Sequence, residues 1–311
     1  MPADIPAVYR GRFAPSPTGP LHAGSLLAAV GSFLDARSRG GEWLVRMEDL
    51  DPPRELAGAA ADILRTLELY GLEWDGPVLY QSERIGVYRE MLDDLLSRGL
   101  AFRCRCSRAD IADANSASGY SANRYPGTCR YLKITASQAH AVRLRVTDTP
   151  VVFADRVQGP QATILTESVG DFVIQRKDGL AAYQLAVVVD DGFQRITDVV
   201  RGTDLLDSTP RQIYLHGLLD LPSPRHLHLP IIVNKAGDKL SKQTGAVALP
   251  RDNPSEMLHR VLCLLRHPPP GELAGASPEE LLVWATAEWD PARLVGMQQI
   301  PGLDEDSSPR A

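Results

Sequence analysis

The chain of 311 residues sets 33 Lys and Arg against 39 Asp and Glu, a net charge of −6, with 44% apolar and 23% charged residues. This excludes a globally basic nucleic-acid binder and a disordered polyelectrolyte, and no run approaches the roughly 18 uninterrupted apolar residues that cross a bilayer. The opening MPADIPAVYR has neither the basic nor the apolar region of a secretion signal, so a cytoplasmic protein is expected, monomeric and without membrane contact.

In chain order, AVYRGRFAP (7–15) reads as a short strand, and LHAGSLLAAVGSFLDARSRG (21–40) as the helix that leaves the following loop, closed by Gly40 and Gly41. EWLVRMEDLD (42–51) is a second strand. ELAGAAADILRTLELYGL (55–72) has helical spacing and ends at Gly71, where a residue without Cβ takes a left-handed cap cheaply. A further helix is expected from Ser82 to Gly99, with Ser82 as its N-cap. The stretch from 104 to about 165 changes character, with a Ser/Ala/Asn/Gly-rich loop at 115–123 and β-like runs such as AVRLRV (141–146), and reads as an insertion. Strand and helix alternation resumes in 171–206, followed by the helix PRQIYLHGLLD (210–220) and a strand HLPIIVN (228–234).

The expected architecture is α/β with a parallel sheet interrupted once. It divides into a first catalytic half (1–103), an insertion (104–165), a second half (166–245), and a short helical C-terminal part with a frayed acidic tail (246–311).

RFAPSPTGPLHAGS (12–25) places a Pro/Gly loop before a helix N-terminus, where first-turn amides and the helix dipole favour an anion such as a nucleotide phosphate. His22 is positioned to bond a phosphate oxygen, and Gly24 lets a purine or ribose approach the backbone. DKLSKQTG (238–245) sets two lysines three apart in a glycine-flanked loop, cations suited to a developing pyrophosphate. Either loop alone is common, and a Lys-x-x-Lys pair is ordinarily solvated surface.

Three of the four cysteines fall at 104, 106 and 129, while Cys263 sits in the apolar run HRVLCLLRH and reads as core. Clustered thiols in a cytoplasmic chain point to metal rather than disulfide. Three thiolates need a fourth ligand for tetrahedral zinc, and Tyr120, Tyr125, Asp110, Asp113 and His140 are all within sequence reach. Between 101 and 133, six basic residues (Arg103, Arg105, Arg108, Arg124, Arg130, Lys133) face two acidic ones, the best local candidate for contact with phosphates.

The two loops together are the paired signatures of class I aminoacyl-tRNA synthetases. From about residue 9 to residue 245 the chain resembles the glutamyl-tRNA synthetase catalytic core: RFAPSPTGPLHAGS looks like the first signature, RMEDLD (46–51) the acidic strand end, and YQSER (80–84) the pre-helix turn. The stretch 182–206 resembles the amino-acid pocket segment and KLSKQ (239–243) the flexible ATP loop. One departure is Ser25, where the signature usually has its last His.

The resemblance implies a Rossmann-like catalytic domain that activates glutamate with ATP and magnesium. It implies that Arg12 and Arg201 pair with the two substrate carboxylates, Glu48 accepts from the α-ammonium, Tyr183 supplies a hydroxyl and a wall, and Phe13, Ala14, Pro15 and Ser16 complete the glutamate site. ATP falls to Pro15, Thr18, His22, Gly24, Ser25, Lys239, Ser241 and Lys242, with His22 and Lys242 stabilising charge as pyrophosphate leaves. Cys-x-Cys followed by Tyr-x3-Cys resembles the zinc motif of the short paralogue family, the glutamyl-queuosine tRNA(Asp) synthetases, which favours one structural zinc on Cys104, Cys106, Tyr125 and Cys129.

Only 69 residues follow Lys242, too few for a separate anticodon-binding domain of roughly 100 residues or more. The short paralogues activate glutamate without tRNA and attach it to queuosine in the anticodon stem-loop of tRNA(Asp). The alternatives are a truncated synthetase charging a tRNA 3′ end and an inactive zinc-containing RNA-binding module.

Overall fold

A computed structural model of the chain describes residues 8–116, 121, 123–234, 237–239 and 247–302. Strand β1 (Arg10–Phe13) runs parallel to β2 (Glu42–Met47), which runs parallel to the short β3 (Leu79–Tyr80). Beyond β1 lies β9 (Asp198–Gly202), where the Thr197 N–H just before the strand donates to Arg10 O at 2.9 Å. β9 pairs in parallel with β10 (Arg225–Leu229), and β10 with β6 (Val151–Asp155); β7 (Gly159–Thr163) closes the edge as an antiparallel hairpin. Parallel pairing needs crossovers, which α1 (Ala23–Arg37) supplies between β1 and β2, α2 (Ala59–Leu69) between β2 and β3, and α7 (Thr209–Leu218) between β9 and β10, while α6 (Tyr183–Phe193) leads into β9.

Residues 26–27 and 29–36 of α1 are all buried, because the helix is covered by the sheet on one side and by α8 (Pro254–Leu264) and α9 (Pro278–Glu288) on the other. Gly31 allows the close approach: a Cβ there would lie 2.5 Å from Leu229 Cδ1. Asp35, at the far end of α1, is fully buried and collects Tyr9 Oη at 2.6 Å, both terminal nitrogens of Arg156 and Trp289 Nε1 at 3.0 Å. Chain segments from both ends and from the β6–β7 region thus meet on one carboxylate.

A second core packs α3 (Ile85–Ser97) and α6 against a small antiparallel sheet of β4 (Ala101–Cys104), β5 (Ala141–Leu144) and β8 (Val173–Gln175). The segment 104–165 therefore contributes to two sheets, β5 to the antiparallel one and the β6–β7 hairpin to the parallel one. A third, small cluster holds Phe102, Ile111 of α4 (Arg108–Ser116), Tyr125, Ile134 and the cysteines.

Three local expectations change. The helix expected from Ser82 starts at Ile85, because the Ser82 hydroxyl and N–H are both taken by Asp49, leaving 81–84 as a 3-10 turn. HLPIIVN is not one strand: Pro230, with no N–H to donate, separates β10 from β11 (Ile231–Val233), and β11 pairs with β12 (Gln299–Pro301). Cys263 is only half buried, its Sγ 3.7 Å from His259 Nδ1 one turn back, so it is not a core residue. No helix among the described residues is long and apolar enough to cross a membrane.

Candidate active site

Parallel strands end together, and side chains just beyond those ends share one crevice. Here β1 delivers Arg12, Phe13, Ala14 and Ser16, β2 delivers Glu48, β9 delivers Arg201 and Gly202, and β10 leads into Pro230. With His22, Gly24 and Ser25 from the start of α1, Tyr183 from the start of α6, and Asp204 and Lys239, they line a cavity of about 380 Å³, within the size range of small-molecule sites. Pro15 and Thr18 do not line it. Pro15 O instead accepts the Glu48 N–H at 2.9 Å, which ties the two strand ends together, and Thr18 N–H turns back to Ser16 O at 2.8 Å. Ser241, Lys242 and the alternative zinc ligand Tyr120 lie outside the described residues.

His22 is the N-cap of α1; its Nδ1 accepts from the Ser25 N–H at 3.3 Å, so imidazole and the first-turn amides face the cleft together. Lys239 Nζ is ion-paired with Asp204 at 2.5 Å.

A network of buried charges forms the floor. Arg12 is 3% exposed, and its Nε donates to Asp191 Oδ1 at 3.1 Å; Arg46 Nη2 donates to the same oxygen at 2.7 Å. Burial alone would raise the Asp191 carboxyl, yet the two guanidiniums hold it well below the usual carboxylate range. Its neighbour Asp190, fully buried, accepts from Gln81 Nε2, Arg84 Nε and Tyr88 Oη at 2.7 to 2.8 Å, which is the structural role of the YQSER turn. Asp191 lies in the stretch 182–206 and Arg46 in RMEDLD, but only the fold shows that Asp191 braces Arg12 and that Arg46 holds Asp191.

Arg201 differs from Arg12. It is 5% exposed, and no carboxylate lies within ion-pair distance of its guanidinium among the described residues. Its Nη1 donates to Tyr183 Oη at 3.3 Å, Nη2 to Thr209 Oγ1 at 2.7 Å and Leu205 O at 3.3 Å, and Nε to His228 Nε2 at 3.1 Å. Burial holds its pKa below the usual arginine value. Glu48 is the complementary case: burial pushes its carboxyl up despite Arg46 and Arg12, and Oε1 is buried with no hydrogen-bond partner among the described residues. One cavity thus holds a cation without a counter-anion among the described residues and a carboxylate oxygen that makes no hydrogen bond there, only a 3.6 Å ion pair with Arg46 Nη2. A zwitterion with a further negative charge would supply both partners.

Away from the cleft, the Sγ atoms of Cys104, Cys106 and Cys129 lie within 4.8 Å of one another and could hold a metal. Tyr125 Oη is 3.5 Å from Cys104 Sγ and accepts the Cys129 N–H at 2.7 Å. Burial and the neighbouring thiols push the Cys106 thiol up to about 12. Asp110 is spent on the Ser107 N–H and His140 Nδ1 on Gln138 O, so neither joins the cluster. Tyr125 docks through its N–H on Val169 O at 2.9 Å, above Gly170, where φ is +68° and a Cβ would sit 2.3 Å from Tyr125 O. Of the basic residues here, Arg105, Arg108 and Lys133 are exposed, as is Tyr131 at 87%, whereas Arg130 is ion-paired with Asp171 and Arg124 Nε bonds Thr166 O.

Residues 9–289 match the family model described as tRNA synthetases class I (E and Q), catalytic domain. The chain is 57% identical over 289 residues to the glutamyl-Q tRNA(Asp) synthetase of Thiobacillus denitrificans, covering 91% of this chain and 94% of that one. To the protein of the same name from Ectopseudomonas mendocina it is 55% identical, covering 92% and 95%. Among solved structures, a glutamate tRNA ligase from Elizabethkingia meningosepticum shares the fold with a TM-score of 0.77 at 24% identity. The match covers 94% of this chain and 66% of that one, so the chain spans about two thirds of that ligase.

Proposed function

The chain belongs to the class I tRNA synthetases of the glutamate and glutamine group, in the branch of the glutamyl-Q tRNA(Asp) synthetases, and on that premise we propose that it activates glutamate with ATP in the absence of tRNA and transfers the glutamyl group to queuosine in the anticodon loop of tRNA(Asp). The observation that carries the amino-acid half is the buried Arg201 guanidinium, with no carboxylate partner among the described residues, in one cavity with Glu48, whose Oε1 makes no hydrogen bond among the described residues.

In this reading Arg12 and Arg201 receive the two glutamate carboxylates, Glu48 accepts from the α-ammonium, and Tyr183, whose oxygen accepts from Arg201, keeps its own hydrogen for the substrate. Phe13, Ala14 and Ser16 shape the wall, and Pro15 acts from behind it, its carbonyl on the Glu48 N–H holding the two strand ends together. Because the groups facing the side-chain end donate, an acceptor-only carboxylate is favoured over an amide, whose NH₂ would meet another donor. ATP, with its magnesium, lies over the start of α1, where His22, Gly24 and Ser25 face the cleft. Thr18, Lys239, Ser241 and Lys242 follow the family pattern as further ATP contacts.

A glutamate α-carboxylate oxygen attacks the α-phosphorus and pyrophosphate leaves, with His22 and Lys242 offsetting the charge. A queuosine hydroxyl then attacks the carbonyl of the adenylate and AMP departs. No side-chain nucleophile is required, and the protein works by positioning and electrostatics.

The three thiols and the Tyr125 phenol fit a closed tetrahedral zinc, which would cross-link a segment whose own apolar cluster is small. The exposed Arg105, Arg108 and Lys133 on that segment suit RNA phosphates. Relatives aligned over 94 to 95% of their own length carry the glutamyl-Q tRNA(Asp) name, which supports queuosine as the acceptor over a tRNA 3′ end. The test is transfer of radioactive glutamate to tRNA(Asp). A tRNA without its 3′-terminal CCA should still be labelled, and one carrying guanosine in place of queuosine should not; the reverse pattern makes the protein a 3′-end synthetase.

A further inference from the structure

Arg201 is carried by β9, but the group that faces its Nε comes from the neighbouring strand. His228 on β10 is fully buried, with Nδ1 2.6 Å from Asp155 Oδ2 and Nε2 3.1 Å from Arg201 Nε. Asp155 ends β6, and its other oxygen, Oδ1, accepts three backbone N–H groups, from Val157, Gln158 and His228 itself, at 3.0, 2.8 and 3.2 Å. Thr209 Oγ1, which receives Arg201 Nη2, lies 3.1 Å from the same His228 Nε2. Three parallel strands are thus joined behind the cleft by one polar chain, Asp155 to His228 to Arg201.

The proton positions follow from the chemistry of the groups. A carboxylate only accepts, so the hydrogen of a neutral imidazole sits on Nδ1, and Nε2 presents a lone pair to the arginine. Burial lowers the His228 pKa; at Asp155 burial pulls upward, yet the bonds from His228 and the Gln158 and Val157 amides keep the carboxyl below its usual value. The pair is therefore a carboxylate and a neutral ring. With Nε held, both Nη2 hydrogens spent on Thr209 and Leu205, and one Nη1 hydrogen on Tyr183, a single Nη1 hydrogen is left to point into the cavity. The fork has one orientation.

We propose that His228 is the positioning residue for Arg201, and that Asp155 acts through it by fixing the imidazole tautomer, so that the β6–β7 hairpin sets affinity for the amino-acid substrate. The inference rests on the reading of Arg201 as a glutamate ligand. A specific consequence concerns Asp155→Asn. Its Oδ1 must stay with the three backbone amides, so the new NH₂ faces His228 Nδ1 and forces the hydrogen onto Nε2. That nitrogen would then aim a donor at the donor on Arg201 Nε. The damage depends on the imidazole being present.

The experiment is glutamate-dependent ATP–pyrophosphate exchange, with KM measured separately for glutamate and ATP, in His228→Leu, His228→Gln, Asp155→Asn and the double variant of the last two. Losing one hydrogen bond to a charged group predicts a glutamate KM about 10- to 100-fold higher in His228→Leu and Asp155→Asn, with the ATP KM within about twofold. Gln places an oxygen near the position of Nε2, so His228→Gln should recover to within about fivefold of wild type, and Asp155→Asn added to it should cost no more than about twofold. Should the leucine variant fail to fold, the glutamine and asparagine variants, nearly unchanged in volume, carry the test. Parallel rises in both KM values, or an Asp155→Asn penalty as large in the glutamine background as in wild type, would overturn the relay. Failure of the wild-type protein to exchange with glutamate would instead sink the functional reading, and the relay with it.

Discussion

Replacing Arg201 by methionine separates what the residue does for binding from what it does for the fold. The guanidinium is 5% exposed, has no carboxylate partner among the described residues, and is held below its usual pKa by burial. It is thus a desolvated charge that the free protein keeps at a cost to its own stability. Methionine fills a similar volume and removes the desolvated charge, but it leaves His228 Nε2 and the Leu205 carbonyl without their donor, so the two effects offset and thermal stability should change little. Binding should suffer heavily, because the substrate carboxylate would enter a pocket with its counter-charge removed. Truncating one partner of a buried charge pair costs about 2 to 5 kcal/mol, which corresponds to about 30-fold to several thousand-fold in kcat/KM for glutamate. Arg260→Ala provides the control: its guanidinium is partly exposed, paired with Glu256 one turn back on α8, and does not line the cleft. A surface pair contributes about 0 to 1 kcal/mol, so activity should change by no more than about fivefold. The assay is pyrophosphate exchange beside a melting curve. A methionine variant that melts several degrees lower and keeps its glutamate KM would show that Arg201 serves the fold, and the reasoning fails.

Elemental analysis should find one zinc per chain in the wild type, and Cys106→Ser should lose it and melt lower, since three clustered sulfurs and a phenol otherwise bury polar atoms for little return; a metal-free wild type as stable as the variant makes the cysteines ordinary packing. Stability should also fall on acidification in a defined window. His216 is 2% exposed, its Nδ1 has no partner among the described residues, and burial lowers its pKa to about 4. Because the folded value lies below the unfolded value of about 6.5, its contribution is complete above pH 6.5 and is lost as pH falls toward 4, by roughly 3 kcal/mol. In His216→Phe the melting temperature should depend less on pH across that window, and an identical slope in both proteins would assign the loss elsewhere.

The local pattern of the chain determined the elements and much of the chemistry available at the cleft. The stretch 21–40 was legible as a helix and the Pro/Gly loop before it as the source of a helix N-terminus, but that the helix is covered on both sides, with Asp35 buried on it, came from the fold. Residues as distant as Arg12, Glu48, Tyr183 and Lys239 are expected in one site only from the resemblance of their motifs to the synthetase core, and the fold brings all four to one cavity. What surrounds them could not be read in this way. Asp191 is 179 residues from Arg12, Asp155 is 73 from His228, and Arg46 is 145 from Asp191. No periodicity links such partners, because their meeting depends on the order in which strands pair rather than on anything adjacent in the chain. The same holds at the cysteines, where spacing left five candidates for a fourth ligand and packing brought the Tyr125 phenol to the sulfurs while hydrogen bonds engaged Asp110 and His140 elsewhere. It holds too at Ser82, whose capping chemistry was legible but was claimed by Asp49 across the fold. Side-chain types record what a residue is able to bond; which bond it makes is decided by tertiary structure, since a buried polar group takes the partner that the strand order places within about 3 Å.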